Sequence, residues 1–272
     1  MAGDQFGTVL RYLRKLTGAF DPGEQPDAVL LNRFATERDE TAFAGLMDRY
    51  APMVLGVGRR ILGNSSDAED AFQATFFVLA RKAGSISRPE QLGNWLYGVA
   101  YRTALKAKTE MGRRRLREHL APPRPTSDTV LEAVWRDLRP ILDEEVNRLP
   151  VKYRVAFLLC HVEGKTNAEA ARQLRCPVGT ILSRLARARR QLRNRLTRRG
   201  VTLSVAFLTS SISRESLAAE VSAELMQSTV RMALSFAAVS GISQSFAAIL
   251  AEGVLQAMFL NNIKTIGLSL LA

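Results

Sequence analysis

The stretch 164-GKTNAEAARQLRCPVGTILSRLARARRQLRNRL-196 decides the fold. Thr166 and Glu169 have the S/T-x-x-E spacing in which a hydroxyl and a carboxylate satisfy each other's orphan backbone donors, so a helix starts here. It runs through Leu174, with Ala168, Ala171 and Leu174 on one face. Cys176-Pro177-Val178-Gly179 breaks it, because proline cannot continue a helix but suits the first turn of a new one. The second helix sets Ile181, Leu185, Ala188, Leu192 and Leu196 in one apolar stripe and leaves Arg184, Arg187, Arg190 and Arg193 for its other faces. Two short helices around a tight turn, the second apolar inside and basic outside, are predicted to form a helix-turn-helix. A solvated helical hairpin is the bland alternative. Against it, no acidic residue occurs from Ala170 to Arg214, whereas a merely solvated face mixes signs.

The charge of the rest of the chain agrees. The net charge is +12 over 272 residues. Residues 201–272 hold Arg214, Arg231 and Lys264 against Glu215, Glu220, Glu224 and Glu252, a net of −1, which leaves +13 on residues 1–200. A polyanion-binding body with a chemically different tail is expected. The length favours more than one domain, and the two cysteines, Cys160 and Cys176, imply no disulfide framework. No signal peptide is evident, because Gln5 to Leu16 is amphipathic and basic, and the body is expected in the cytoplasm.

Helical periodicity dominates, and no run shows the period of two that a strand requires. A short N-terminal helix around Phe6–Leu13 and a Gly/Pro linker to Pro26 come first. Helices are then predicted over Asp27–Thr36 and Asp39–Leu62, the second passing Pro52 with a kink. Ser66-Asp67-Ala68-Glu69 has capping-box spacing and opens a helix with acids at its positive end. Asp67 and Glu69 are accounted for as caps. Asp70 and Gln73 are less so, and suggest a protein contact. After the loop Gly84–Pro89, a helix from Pro89 to Arg117 carries Trp95, Tyr97 and Tyr101, then Arg102, Lys106, Lys108 and Arg113-Arg114-Arg115. Aromatic platforms beside a basic face are what single-stranded nucleic acid uses. Trp95 also fits core spacing, and Tyr97 and Tyr101 read equally as stacking platforms or as core. Ala121 to Asp128 is a proline-rich linker, followed by helices around Val130–Leu138 and Ile141–Leu149 and one opened by Pro150.

In this order the pieces resemble a sigma factor of the sigma-70 family, of the small extracytoplasmic-function type. DAEDAFQATFFVLA with GNWLYGVAYRTALKAKTEMGRRR is similar to the family's second conserved region. LDEEVNRLPVKYRVAFLLCHVEGKTNAEAARQLRCPVGTILSRLARARRQLRNRL is similar to its fourth, and the likeness covers about residues 25 to 200. The resemblance implies an all-α fold of two small helical domains, a region 2-like bundle (25–118) and a region 4-like helix-turn-helix (137–200), joined by a flexible linker (119–136). Residues 1–24 are an N-terminal helix and linker, and 201–272 a helical C-terminal extension of unknown role. It also implies core RNA polymerase, promoter DNA and an anti-sigma factor or other regulator as partners.

Carried over by similarity, Asp67, Asp70, Gln73 and Phe76 meet core polymerase. The −10 element falls to the stretch from Ser85 to Asn94 with Trp95, Tyr97, Tyr101 and Arg102. Relatives commonly have Arg-Asn where this chain has Tyr101-Arg102, which leaves the −10 base reader open. The −35 element falls to Thr180, Ser183, Arg184 and Arg187, with Arg190 on phosphate.

Two other readings stand beside this one. The first is a helix-turn-helix regulator acting without polymerase, for which the acidic helix would have no use. The second is a membrane-associated signalling protein whose basic body serves anionic lipid; in the tail, Met232 to Ala251 runs twenty residues without charge, a length that could span a bilayer. Its four serines, glutamine and central glycine make a buried or interfacial helix the better expectation, with weak membrane association as the alternative. No catalytic, cofactor or metal site is expected: two histidines far apart do not make a base and partner, and Cys160 and Cys176, which with His161 would offer three metal ligands, read as buried thiols instead.

Overall fold

The computed structural model describes residues 25–117, 130–201, 221–238 and 245–270. The expected N-terminal helix and most of the proline-rich linker lie outside them. Among the described residues the chain is helical, without strands.

The first domain is built from α1 (Asp27–Glu37), α2 (Glu40–Leu62), α3 (Ser65–Lys82) and α4 (Leu92–Arg117), with two 3-10 turns, Ala83–Ser85 and Pro89–Gln91, between α3 and α4. Asp39 caps α2 by accepting from the amides of Thr41 and Ala42. Gly63, at φ 69°, ends α2 in the left-handed conformation that favours glycine. Pro52 sits inside a continuous α2. α3 starts two residues earlier than the capping-box spacing suggested. Asn64 is the cap, accepting from the Ser66 amide, and Glu69 bonds the Ser65 hydroxyl instead of closing a box with Ser66. Pro89 opens a 3-10 turn, and α4 proper starts at Leu92. An aromatic run binds the domain: Phe34 and Phe43 lie 4.5 Å apart, Phe43 meets Phe76 edge-on at 6.4 Å, and Phe76 meets Phe72 at 4.9 Å. Each such ring fully buried is worth about 1.5–3 kcal/mol over leaving it exposed.

The second domain consists of α5 (Val130–Asn147), α6 (Val151–His161), α7 (Asn167–Gln173) and α8 (Val178–Arg198). α5 is one helix through Pro140, not the two expected on either side of it. A proline removes one helical hydrogen bond, and a helix held by packing tolerates that. α5 also begins inside the range read as linker. The Thr166–Glu169 capping box is present in full, with the Glu169 amide 3.2 Å from the Thr166 hydroxyl and the Thr166 amide 2.8 Å from the Glu169 carboxylate.

The tail forms α9 (Ala223–Ala238) and α10 (Phe246–Leu270), so the uncharged run Met232–Ala251 is not a single helix. Ser222 and Ser245 cap them, accepting from the amides of Leu225 and Ala248 at 3.2 Å each. Val230, Ala233 and Phe236 of α9 and Ala247, Ala248, Leu250, Ala251 and Val254 of α10 are buried in the core of the first domain. Among the described residues no helix is long and apolar enough to cross a membrane.

Candidate nucleic-acid interface

The helix-turn-helix has its own small core. Val155, Ala156 and Leu159 of α6, Ala170 and Ala171 of α7, and Ile181 and Leu185 of α8 are buried together, with Cys160, Leu174 and Cys176 packed partly against them. Between α7 and α8 the chain turns through Arg175, at φ 49°, and the Cys176 amide donates to the Ala171 carbonyl at 3.0 Å. Pro177 takes the N-cap position, and α8 runs from Val178. All five residues of the expected stripe, Ile181, Leu185, Ala188, Leu192 and Leu196, are buried.

Burying that stripe sends the other side of α8 outward. Ser183, Arg187 and Arg190 are exposed, and Thr180 and Arg184 half-exposed. Ser183 donates to the Thr180 carbonyl at 2.9 Å, as a hydroxyl waiting near its own backbone does. The Arg187 guanidinium acting on the Tyr153 hydroxyl is the main cause lowering the Tyr153 pKa. Arg189 faces His161, whose ring nitrogen is 3.2 Å away. Burial first, then the Arg189 charge, lower the His161 pKa to about 4, so the ring is neutral at physiological pH. Towards the end of α8 the basic side turns inward. Arg199 reaches Glu144 at 2.6 Å and Glu145 at 2.9 Å, and Arg195 reaches Glu145 at 3.6 Å, tying α8 to α5. Arginines 184 to 190 are therefore the outward group, and 195 and 199 are structural. Sequence spacing alone did not separate the two sets, because their partners on α5 are some fifty residues away.

Of the residues assigned to −10 DNA, Asn94, Tyr97 and Tyr101 lie where the two domains meet. Arg60 of α2 holds Asp143 of α5 through a two-pronged pair, Nε to Oδ2 at 2.7 Å and Nη2 to Oδ1 at 3.0 Å. Tyr97 donates its hydroxyl to the same carboxylate at 2.6 Å. Tyr97 is 0% exposed and Tyr101 8%, so neither offers a stacking face in this arrangement. Of the two readings the sequence left open for them, platform or core, this closed arrangement has the core one. An aromatic ring carrying one hydroxyl suits a core position with a single polar partner, and Asp143 is that partner. Burial, then the Asp143 charge, push the Tyr97 pKa well above its ordinary value.

Asn94 accepts from the Arg154 Nε of α6 at 2.7 Å. Trp95 is half-buried against the core, and Ser85 and Arg102 are exposed. Gln173 of α7 donates to the Glu90 carbonyl at 2.8 Å. A side-chain atom on Gly93 would lie 2.2 Å from a Glu163 carboxylate oxygen, so the absent side chain of Gly93 is what lets the turn after α6 press against α4.

On α3, Asp67, Asp70 and Gln73 are half-buried, but Phe76 is 0% exposed. Phe76 belongs to the aromatic core and presents no surface to a partner. Its 3.6-residue phase places it with Phe72 and Leu79, opposite Asp70. Burial first, then Asp67 and Glu69, raise the Asp70 pKa. Among the described residues no group of three or more His, Cys, Asp or Glu side chains could hold a metal ion.

The described residues thus set a four-helix domain whose third helix opens with acids ahead of a helix-turn-helix with an outward arginine face. Residues 46–114 match the Sigma-70 region 2 family and residues 139–192 match Sigma-70 region 4. The ECF RNA polymerase sigma factor SigE of Mycolicibacterium smegmatis is 29% identical over 65% of this chain and 71% of its own. The ECF RNA polymerase sigma-E factor of Haemophilus influenzae is 28% identical over 62% of this chain and 95% of its own. A solved structure, the sigma factor RpoE in complex with the anti-sigma factor NepR from Bartonella quintana, is 23% identical. It covers 56% of this chain and 94% of that one, with a TM-score of 0.27. The chain belongs to the sigma-70 family, in its extracytoplasmic-function branch. Such a factor binds core RNA polymerase and directs initiation at promoters by recognising −10 and −35 elements.

Proposed function

We propose the following division of labour within this sigma factor. The outward side of α8 enters the major groove of the −35 element, with Thr180, Ser183, Arg184 and Arg187 at base edges and Arg190 on phosphate. An arginine fork bonding guanine is worth about 1–3 kcal/mol of discrimination. The N-terminal half of α3, through Asp67, Asp70 and Gln73, docks on core polymerase, while Phe76 supports that surface from behind. The stretch Ser85 to Asn94 with Trp95, Tyr97, Tyr101 and Arg102 engages the −10 element once the second domain has moved off it. Polymerase and −10 binding thus fall to residues 25–118 and −35 binding to 137–200, with 119–136 connecting them. The factor acts in the cytoplasm, where polymerase and promoter DNA are found, and an anti-sigma factor in trans fits this reading.

The observation that supports it most is the sidedness of α8, whose inner stripe is wholly buried while its outer face presents arginines without a single acid. The test is reconstitution with core polymerase on a library of promoters. A stable complex and new start sites are expected, and Asp70→Lys should weaken complex formation. Start sites unaffected by Asp70→Lys would sink the docking assignment.

A further inference from the structure

The tail helices lie on the helix proposed to meet polymerase. Asp70, Ala74, Phe77 and Arg81 follow at intervals of four, three and four, so they form one stripe along α3, opposite Phe72, Phe76 and Leu79. In a helix with one face on a core, that second stripe should be open. Instead Ala74 is 0% and Phe77 1% exposed. A helix buried all round needs a neighbour on each side. On this side the neighbours are α9 and α10.

The contacts are specific. Phe77 stacks on Phe236 of α9 with centroids 5.2 Å apart and planes at 24°. Arg81 donates from Nε to the Phe236 carbonyl at 2.7 Å, and its guanidinium lies 4.6 Å from the Phe236 ring centroid. α10 brings Ala247, Ala248 and Ala251, small residues that let its backbone come close. At Gly253 the end of the Lys106 side chain from α4 fills the space a side chain would need, 2.2 Å from the position of a Cβ. The acids at the head of the same stripe are themselves partly buried. Asp70 is half-buried with its pKa raised, and one carboxylate oxygen of Asp67 is buried with no hydrogen-bond partner. Both would gain from a partner able to supply donors or positive charge.

We infer that α9 and α10 form a cover, carried in the same chain, over the face of α3 that docks on core polymerase, so that docking requires the cover to leave. This rests on the docking assignment above. The tail is thereby an internal competitor of polymerase. It lowers the factor's apparent affinity by the fraction of time the face is uncovered.

The experiment measures binding of the full-length chain to core polymerase, comparing the unaltered protein with Phe236→Glu/Ala248→Glu. Two carboxylates in the apolar contact should release the cover and tighten binding about tenfold or more. Unchanged binding by the folded variant overturns the cover. A second measurement on the unaltered chain decides the matter even where the variant does not fold. Amide hydrogen exchange at 229–236 and 247–254 should accelerate when polymerase is added. A complex that forms, is weakened by Asp70→Lys, and leaves those amides protected would refute the cover alone. No complex, or one indifferent to Asp70→Lys, removes the docking assignment and the cover with it.

Discussion

Glu163 shows how much one side chain can depend on an element far away in the chain. It follows α6, yet it is nearly buried against Gly93 and near Tyr50 of the first domain, with Lys165 3.7 Å away. Burial outweighs Lys165 and raises its pKa to about 7. A carboxyl whose folded pKa is raised stabilises the fold most when protonated. Its contribution is complete below the unfolded value near 4.5 and is lost as pH rises through about 7. The unaltered protein should therefore lose on the order of 3 kcal/mol from this group between pH 4.5 and pH 8. Glu163→Gln should flatten that part of a urea-denaturation series. An unchanged slope in the variant would mean the carboxyl is ionised throughout.

Elements were legible where local chemistry governs them. The capping box at Thr166, the stripe on α8 and the stop at Gly63 all follow from nearest neighbours along the chain, and the structure has them. The split at Pro140 and the box at Ser66 did not hold, because packing carried α5 through its proline and Asn64 took the cap. At this scale α8 makes its own prediction. Arg184→Ala should relax discrimination at one −35 position, whereas Arg190→Ala should weaken binding to all sequences and reduce the salt slope by about one. Binding to a panel of −35 duplexes at several salt concentrations separates the two. Equal losses on every duplex for Arg184→Ala would contradict its place as a reader.

At the scale of the molecule the two domains are closed on each other. Their clasp is the buried Arg60–Asp143–Tyr97 group, flanked by Arg154 on Asn94 and Gln173 on the Glu90 carbonyl. Breaking one member of a buried pair such as Arg60–Asp143 costs about 3–5 kcal/mol, because it strands the other charge. Arg154 is the gentler handle, since it is only partly buried. Arg154→Ala should free Asn94 and favour the open form, so a single-stranded −10 oligonucleotide should bind about threefold tighter or better. Fluorescence anisotropy measures this, and unaltered affinity would show that the closed form does not hide the −10 face.

The sequence by itself determined the helical class, the helix-turn-helix, the sidedness of α8 and the membership of the sigma-70 family. The first three rest on spacing within about twenty residues, where periodicity, capping and turn chemistry act, and the last on the order of two such blocks between about residues 25 and 200. Only the tertiary structure decided that Phe76, Tyr97 and Tyr101 are interior, that Arg195 and Arg199 serve α5, and that the tail lies on α3. Those outcomes depend on partners 40 to 160 residues away, Asp143 for Tyr97 and Phe236 for Phe77, and no local pattern in the chain names them.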